Sequence, residues 1–160
     1  MSSTHIHPDL APVLERSGLR ALKLGGRTLL PIVQGGMGVG VSAHKLAGSV
    51  AALGGVGTIS SVDLRRHHPD LMARTEGLAL RTGCDADSKA QIDAANLEAL
   101  EREIVLARER AQGRGLLAIN VMRALGEYAA QVKRALEAGI DAVVVGAGLP
   151  LDLPDLASDH

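Results

Sequence analysis

Aromatic side chains are almost absent from this chain of 160 residues, which has one tyrosine (Tyr128) and neither phenylalanine nor tryptophan. Without such rings there is no platform on which bases can stack, and this argues against single-stranded nucleic acid as a ligand. The formal net charge of -1 gives no basic field that would attract nucleic acid of any kind. A lone cysteine, Cys84, excludes an internal disulfide and fits a reducing compartment.

Long apolar runs are absent as well. No stretch approaches the roughly 18 apolar residues that a membrane-spanning helix needs. Residues 1–18 lack a basic segment followed by an apolar one, so no signal peptide is predicted. We therefore expect no membrane partner, no nucleic-acid partner and a cytoplasmic location.

The chain does contain enough apolar material for one domain, predicted to span residues 1–160. Hydrophobic residues make up 46% and charged residues 22%, which is typical of globular proteins. Short aliphatic runs alternate with amphipathic segments after a polar lead-in, a short helical turn near 10–18 and a hairpin signal at Gly25–Gly26. The predicted strands are 31–33, 56–60, 116–121 and 142–145, and the predicted helices are 43–53, 97–111 and 127–138.

Capping residues and glycines set the predicted helix ends. Ser42 and Asn96 are plausible N-caps, and Gly54 and Gly139 are helix stops. Residues 61–95 break the periodicity and are interpreted as an irregular excursion with one short helix near 70–75.

This alternation indicates parallel βαβ units, and the strand-to-strand step of about 25 residues is that of a (β/α)8 barrel. We predict an α/β fold of the (β/α)8 TIM-barrel type, with only about the first four βα units present.

Ligands of parallel α/β folds bind at the carboxyl ends of the strands. Here those ends carry the segment QGGMGVG (34–40), Ser60–Ser61, Asn120 and the segment GAG (146–148). Four of the seven residues in 34–40 are glycine, more than a turn needs, so a flat or anionic ligand is expected against that backbone. The G-x-G-x-x-G spacing of a dinucleotide site is not met. Asn120 is interpreted either as a ligand-binding amide or as a buried asparagine bonded to backbone.

Other polar clusters are given ordinary structural interpretations. His67 and His68 are expected in a solvated loop rather than at a metal, because adjacent side chains diverge. Cys84 is expected to be unreactive, and Asp85 and Asp87 to belong to a polar turn. On the helix predicted over 97–111, the arginines and glutamates of 98–110 are predicted to form a solvated face. The face predicted to be buried consists of Leu97, Leu100, Ile104, Ala107 and Ala111.

Several segments together resemble the opening of the nitronate monooxygenase family, formerly called 2-nitropropane dioxygenases. They are PIVQGGMG (31–38), KLAGSVAAL (45–53) and GGVGTIS (54–60). Later segments resemble a longer bacterial branch of that family, so the resemblance covers nearly all of residues 22–156. Those segments are IDAANLEALEREI (92–104), LLAINVMRAL (116–125) and DAVVVGAGLPLDLP (141–154).

The resemblance implies an FMN-dependent TIM-barrel flavoprotein. Such an oxidoreductase oxidises an alkyl nitronate with O2 to a carbonyl compound and nitrite, and the flavin carries the redox chemistry. The glycine-rich segment would line the flavin ring, and Asn120 would hydrogen-bond it. The cofactor-binding residues implied are Gln34, Gly35, Gly36, Met37, Gly38, Asn120, Gly146 and Gly148.

The chain also departs from the family pattern. The family's catalytic histidine lies in a Gly-Gly-His motif that residues 1–160 lack, so no catalytic residue is assigned, and the FMN phosphate loops near the last two strands are missing too. We therefore expect the N-terminal part of a longer protein or a truncated product. Two alternatives remain: an NAD(P)H-dependent enoyl reductase on the same flavin barrel, and a cofactor-free half-barrel that only pairs with a partner chain.

Overall fold

The computed structural model describes residues 3–78 and 86–158. Two short segments, Pro8–Leu10 and Leu64–His67, form 3-10 helices. The strands are β1 (Ser3–Thr4), β2 (Leu22–Leu24), β3 (Arg27–Leu29), β4 (Val56–Ser60), β5 (Leu116–Met122) and β6 (Ala142–Gly146). The helices are α1 (Ala11–Ser17), α2 (His44–Leu53), α3 (Pro69–Arg74), α4 (Ala86–Ala111), α5 (Tyr128–Glu137) and α6 (Leu153–Leu156). None of the described helices is both long enough and apolar enough to cross a bilayer.

A parallel sheet in the order β4-β5-β6 forms the centre of the molecule. Helical segments connect its consecutive strands, and the register places Ser60 beside Asn120 and Asn120 beside Val144. The predicted α/β class and parallel arrangement are confirmed. The predicted ends of these three strands lie within one residue of the observed ones.

The prediction of a buried strand over 31–33 is wrong, because this segment is neither a strand nor buried. Only one isolated bridge, Val33 to Val56, joins this segment to β4. Ile32 and Val33 are 54% and 63% exposed. The backbone hydrogen bonds to β4 stop because the chain leaves the sheet at Gln34. The Gln34 side-chain amide replaces them: its Oε1 accepts from the Thr58 N–H at 2.9 Å, and its Nε2 donates to the Thr58 carbonyl at 3.1 Å.

Helices cover one face of the parallel sheet. Alternation along the strands puts Ile59, Leu117, Ile119 and Val121 on this face, where they share one buried cluster with residues of α2, α4 and α5. The contact between α2 and β4 requires glycine, since a Cβ on Gly57 would lie 1.9 Å from the Ala47 carbonyl oxygen.

The opposite face is covered at its amino end by a hairpin instead. β2 and β3 pair antiparallel across Gly25 and Gly26, whose φ values of 55° and 74° suit a two-residue turn, so the predicted hairpin is confirmed. Its apolar side chains pack on the sheet in a second cluster. That cluster contains Leu22, Leu29, Val56, Leu116, Ala118 and Ala142. We call this the inner face, and its carboxyl half carries Thr58, Ser60, Asn120 and Val144.

The segment between β4 and β5 differs most from its prediction. The short helix predicted near 70–75 is found as α3. The next helix, α4, begins at Ala86 instead of after Asn96, so the irregular stretch before it is shorter than predicted. Asn96 lies inside α4 and is not an N-cap; its Oδ1 accepts from the Arg65 N–H at 3.2 Å. Asp87 lies in the first turn of α4 rather than in a polar turn. Cys84 and Asp85 lie outside the described residues.

The N-terminus of α2 also has an unexpected partner. Ala43, not Ser42, occupies the N-cap position. The Ser42 hydroxyl accepts from the Met37 N–H at 2.9 Å and donates to the Gly35 carbonyl at 3.3 Å, so it organises the glycine-rich segment. The free N–H of His44 donates instead to the Glu103 carboxylate of α4 at 2.7 Å.

Candidate functional site

The carboxyl ends of the parallel strands meet around Asn120. This residue lies on the inner face of β5, beside Ser60 of β4 and Val144 of β6. Its side chain is half-buried, and its Nδ2 lies 3.4 Å from the Gly36 carbonyl oxygen. The sheet therefore brings the predicted asparagine to the predicted glycine-rich segment, although 84 residues separate Asn120 from Gly36 in the chain.

Different physical causes explain the glycines of segment 34–40. A Cβ on Gly36 would lie 2.5 Å from the Asn120 Cβ, so glycine is needed here for the asparagine itself. A Cβ on Gly35 would meet nothing within 4 Å, and a Cβ on Gly38 would make an ordinary contact with the Ser60 Oγ at 3.6 Å. None of these three has a positive φ, so turn conformation does not explain them. Gly35 is the position where backbone is open to an approaching ligand.

Glycines after β6 border the same edge. A Cβ on Gly146 would lie 4.0 Å from the Asn120 Oδ1, and the Gly146 carbonyl accepts from the Arg123 N–H at 2.8 Å. Gly148 has a φ of 141° and lies against the Arg123 side chain, 3.1 Å from its Cγ to the Cβ position. Gly146 thus belongs to the surroundings of Asn120, whereas Gly148 contacts the loop after β5.

Gln34 and Met37 play unequal parts in this geometry. The Gln34 amide bonds Thr58 and, at 2.9 Å, the Ser42 hydroxyl, so it is committed to holding the segment in place. The Met37 side chain is exposed while its N–H is held by Ser42. We therefore expect Met37, and not the Gln34 side chain, to face a ligand.

Ser60 also lies at this site, although it is not among the cofactor-binding residues implied by the sequence. Its buried side chain lies on the inner face, in register with Asn120 and next to Gly38. The signal was available, since a small polar residue ends the apolar run of β4 at the edge where ligands bind. The groups gathered here are neutral: an amide, a hydroxyl, backbone groups and the exposed apolar side chains of Met37 and Val144. Such a surface suits a flat, uncharged ring with hydrogen-bonding edges.

A second polar cluster lies on the helix side, and the sequence interpretation of it was wrong. Glu103, assigned to the solvated face of 98–110, is 0% exposed. Its carboxylate lies 2.8 Å from His44 Nδ1 and 3.1 Å from His68 Nε2. His68 is accordingly buried rather than solvated, while its neighbour His67 is exposed as predicted.

The rest of the long helix follows its pattern more closely. Leu100, Ile104, Ala107 and Ala111 are buried as predicted, and Leu97 is half-buried. Across residues 3–78 and 86–158, no group of three or more histidine, cysteine or acidic side chains is arranged to hold a metal ion.

Comparison with known proteins adds no relative to this description. No protein-family model matches the chain, and no curated protein matches its sequence. The function is therefore inferred from the geometry above and from the motif resemblance.

Proposed function

We propose that this chain is the flavin-binding part of an FMN-dependent oxidoreductase of the nitronate monooxygenase type, a cytoplasmic enzyme built on a (β/α)8 barrel. The observation that carries the proposal is the open backbone at Gly35, next in sequence to Gly36, which contacts the half-buried Asn120 at the carboxyl edge of a parallel sheet. A ring can approach the backbone there without meeting a Cβ.

The arrangement of layers supports the barrel. The strands follow one another in sequence order, and the buried cluster that contains α2, α4 and α5 lies on one face of the sheet. A doubly wound sheet would instead carry helices on both faces. A hairpin closing the amino end of the inner face leaves its carboxyl end as the open side, which is where barrel enzymes bind their ligands.

The residues around Asn120 fit a flavin ring. An amide donates and accepts at once, which matches the alternating donors and acceptors at the polar edge of the ring. Gly35, Gly36 and Gly146 would provide backbone contacts, and Met37 and Val144 apolar cover that excludes water. FMN, when bound, would supply the one-electron oxidation of an alkyl nitronate that leads with O2 to a carbonyl compound and nitrite.

Flavin binding is tested by titrating the purified chain with FMN and following the quenching of flavin fluorescence. Gly35→Val is expected to weaken binding at least about tenfold, because the new side chain occupies the face of the ring. Gly126→Val is the matched control, since a Cβ there also meets nothing within 4 Å and its φ is not positive. Equal affinities for the two variants would show that the ring does not lie on Gly35.

The reaction is tested on protein expressed from the whole reading frame that contains this sequence. Oxygen uptake on addition of alkyl nitronates, with nitrite as product, is the expected result. Bound FMN without oxygen uptake across several nitronates would contradict the proposed reaction. Bleaching of that flavin by NAD(P)H in the presence of enoyl substrates would instead identify the reductase alternative.

A further inference from the structure

A cavity of about 300 Å³ lies beside segment 40–46, and none of the cofactor-binding residues implied by the sequence lines it. Segment 40–46 forms one side of the cavity, and His67, at the end of the second 3-10 helix, forms the other. Its titratable lining residues are His44, Lys45 and His67, all of them basic. Within the described residues no acidic side chain lines it, so the cavity favours an anion.

Each of the two histidines is held in place by a specific contact. His44 Nδ1 lies 2.8 Å from the Glu103 carboxylate, which fixes the ring and leaves Nε2 as the nitrogen available to a ligand. His67 lies against the backbone of Gly40, where a Cβ would be 3.0 Å from His67 Nε2. The two rings are therefore positioned by the fold itself.

The fold leaves the charge of Lys45 unused. Neither Lys45 nor His67 forms a side-chain hydrogen bond or an ion pair with another described residue, and both side chains are exposed. Imidazole nitrogens are common metal ligands, but an ammonium group in the same cavity disfavours a metal ion. The combination of one ammonium group and two imidazole rings therefore suits an oxyanion.

We propose that this cavity is a binding site for a phosphate group, contacted by His44, Lys45 and His67. Lysine binds phosphate as a point charge, and imidazole N–H groups donate to its oxygens. The volume is at the lower end of the range of small-molecule sites, about 300–1,000 Å³. Val41 and Leu46 add apolar lining beside the basic groups, so the cavity also accommodates part of the molecule that carries the phosphate.

This inference goes beyond the proposed flavin chemistry and does not depend on it, because inorganic phosphate alone tests it. Two sources supply a phosphate group: FMN carries one, and phosphorylated metabolites carry others. FMN and riboflavin differ only in that phosphate. Comparing these two flavins therefore separates the sources.

The test is calorimetric titration of the purified chain with inorganic phosphate, at an ionic strength held constant with sodium chloride. One saturable site is expected. Lys45→Gln should raise the phosphate dissociation constant at least about tenfold, because it removes a charged hydrogen-bond donor. Lys133→Gln on α5 is the matched control and should bind phosphate as the parent chain does, since Lys133 is also exposed and pairs with no described residue. The absence of a saturable site, or equal losses in the two variants, would overturn the proposal.

Nuclear magnetic resonance of the histidine rings locates the bound phosphate. The ring signals of His67 should shift on saturation, and His67→Ala should weaken binding several-fold, with little effect on folding because the side chain is exposed. His7 is the reference, since it lies on a separate basic surface with Arg110 and Arg114. Shifts at His7 without shifts at His67 would assign the phosphate to that other surface and contradict the proposal.

Fluorescence titration with FMN and with riboflavin identifies the source of the phosphate. If Lys45→Gln weakens the binding of FMN but not of riboflavin, the cavity holds the phosphate of the flavin. If it changes neither flavin but weakens inorganic phosphate, the cavity holds the phosphate of another compound. Inorganic phosphate that binds Lys45→Gln and His67→Ala as tightly as the parent chain would exclude the site, whatever the flavins do.

Discussion

Glu103 is a charged residue whose side chain is fully buried. A buried carboxylate is costly unless its oxygens are paired, and here each oxygen faces one histidine while Oε2 also accepts the His44 N–H. The carboxylate thereby replaces the missing side-chain cap of α2. It ties the start of α2, directly after the glycine-rich segment, to α4 and to the loop containing His68.

We predict that Glu103→Ala lowers the free energy of unfolding by roughly 3–5 kcal/mol, because it leaves the backbone N–H and the ring of His44 without an acceptor and removes the carboxylate that lies against the buried His68. Glu101→Ala is the matched control on the same helix. Its carboxylate is about half exposed and pairs with Arg134, so its loss should change stability by about 0.5 kcal/mol or less. Urea unfolding at neutral pH measures both. Similar losses for the two variants would mean that the cluster does not stabilise the fold.

At the scale of elements, Asp141, which lies just before β6, contacts three other elements. Its carboxylate accepts from Arg27 of β3 at 2.7 Å and from the Leu117 N–H of β5 at 2.9 Å, and lies 3.4 Å from Arg108 of α4. Burial raises the pKa of Asp141, but the hydrogen bonds from Arg27 and Leu117 outweigh it, so the pKa lies below its ordinary value. One carboxylate therefore links the hairpin, the sheet and the helix layer.

This depressed pKa predicts a pH dependence. The unfolded chain takes up the proton more readily than the folded one, so the stabilisation is complete above the unfolded pKa of about 3.9 and is lost as pH falls through the lower folded pKa. Asp141→Asn should therefore cost about 1.5–3 kcal/mol near neutral pH, the value of hydrogen bonds to a charged group. The difference from the parent chain should shrink below about pH 4. Urea melts at several pH values measure it, and a difference independent of pH would contradict this account.

At the scale of the whole molecule, the two faces of the parallel sheet have different roles. The helix-covered face supplies the core, and the inner face carries a hairpin at one end and the candidate site at the other. The site therefore rests on strands that the core holds rigid, while its open side contributes little to stability. A ligand there can bind without unfolding any element.

The proposed binding of FMN should consequently appear as an increase in the stability of the fold. At a ligand concentration of about 100 times the dissociation constant, linkage adds about 2.7 kcal/mol, which for a chain of this length raises the melting temperature by about 5–10 °C. Asn120→Ala should abolish most of this shift, and Gln91→Ala, on the exposed side of α4, should retain it. Thermal denaturation with and without FMN decides it. An unchanged shift in Asn120→Ala would remove that residue from the site.

Local patterning was sufficient for most elements, because its signals act within a few residues. The hairpin at Gly25–Gly26, the strands β4 to β6 and the helices α2 and α5 follow from turn chemistry and hydrophobic period. The start of α4 was missed because Asn96, a good N-cap by type, bonds Arg65 from another segment instead. The carboxyl-edge grouping of Gly36, Asn120 and Gly146 was also predictable, since parallel strands end at a common edge.

Tertiary packing alone decided the remaining features. The buried Glu103 and His68 have sequence neighbours typical of a solvated surface, and only the approach of α2 to α4 makes them a paired cluster. Gly36 is explained by the side chain of Asn120 and Gly57 by the backbone of α2, contacts that no local pattern contains. Sequence periodicity reports which side of an element is apolar, because that depends on near neighbours. Which distant group fills the space beside a residue depends on how the elements pack.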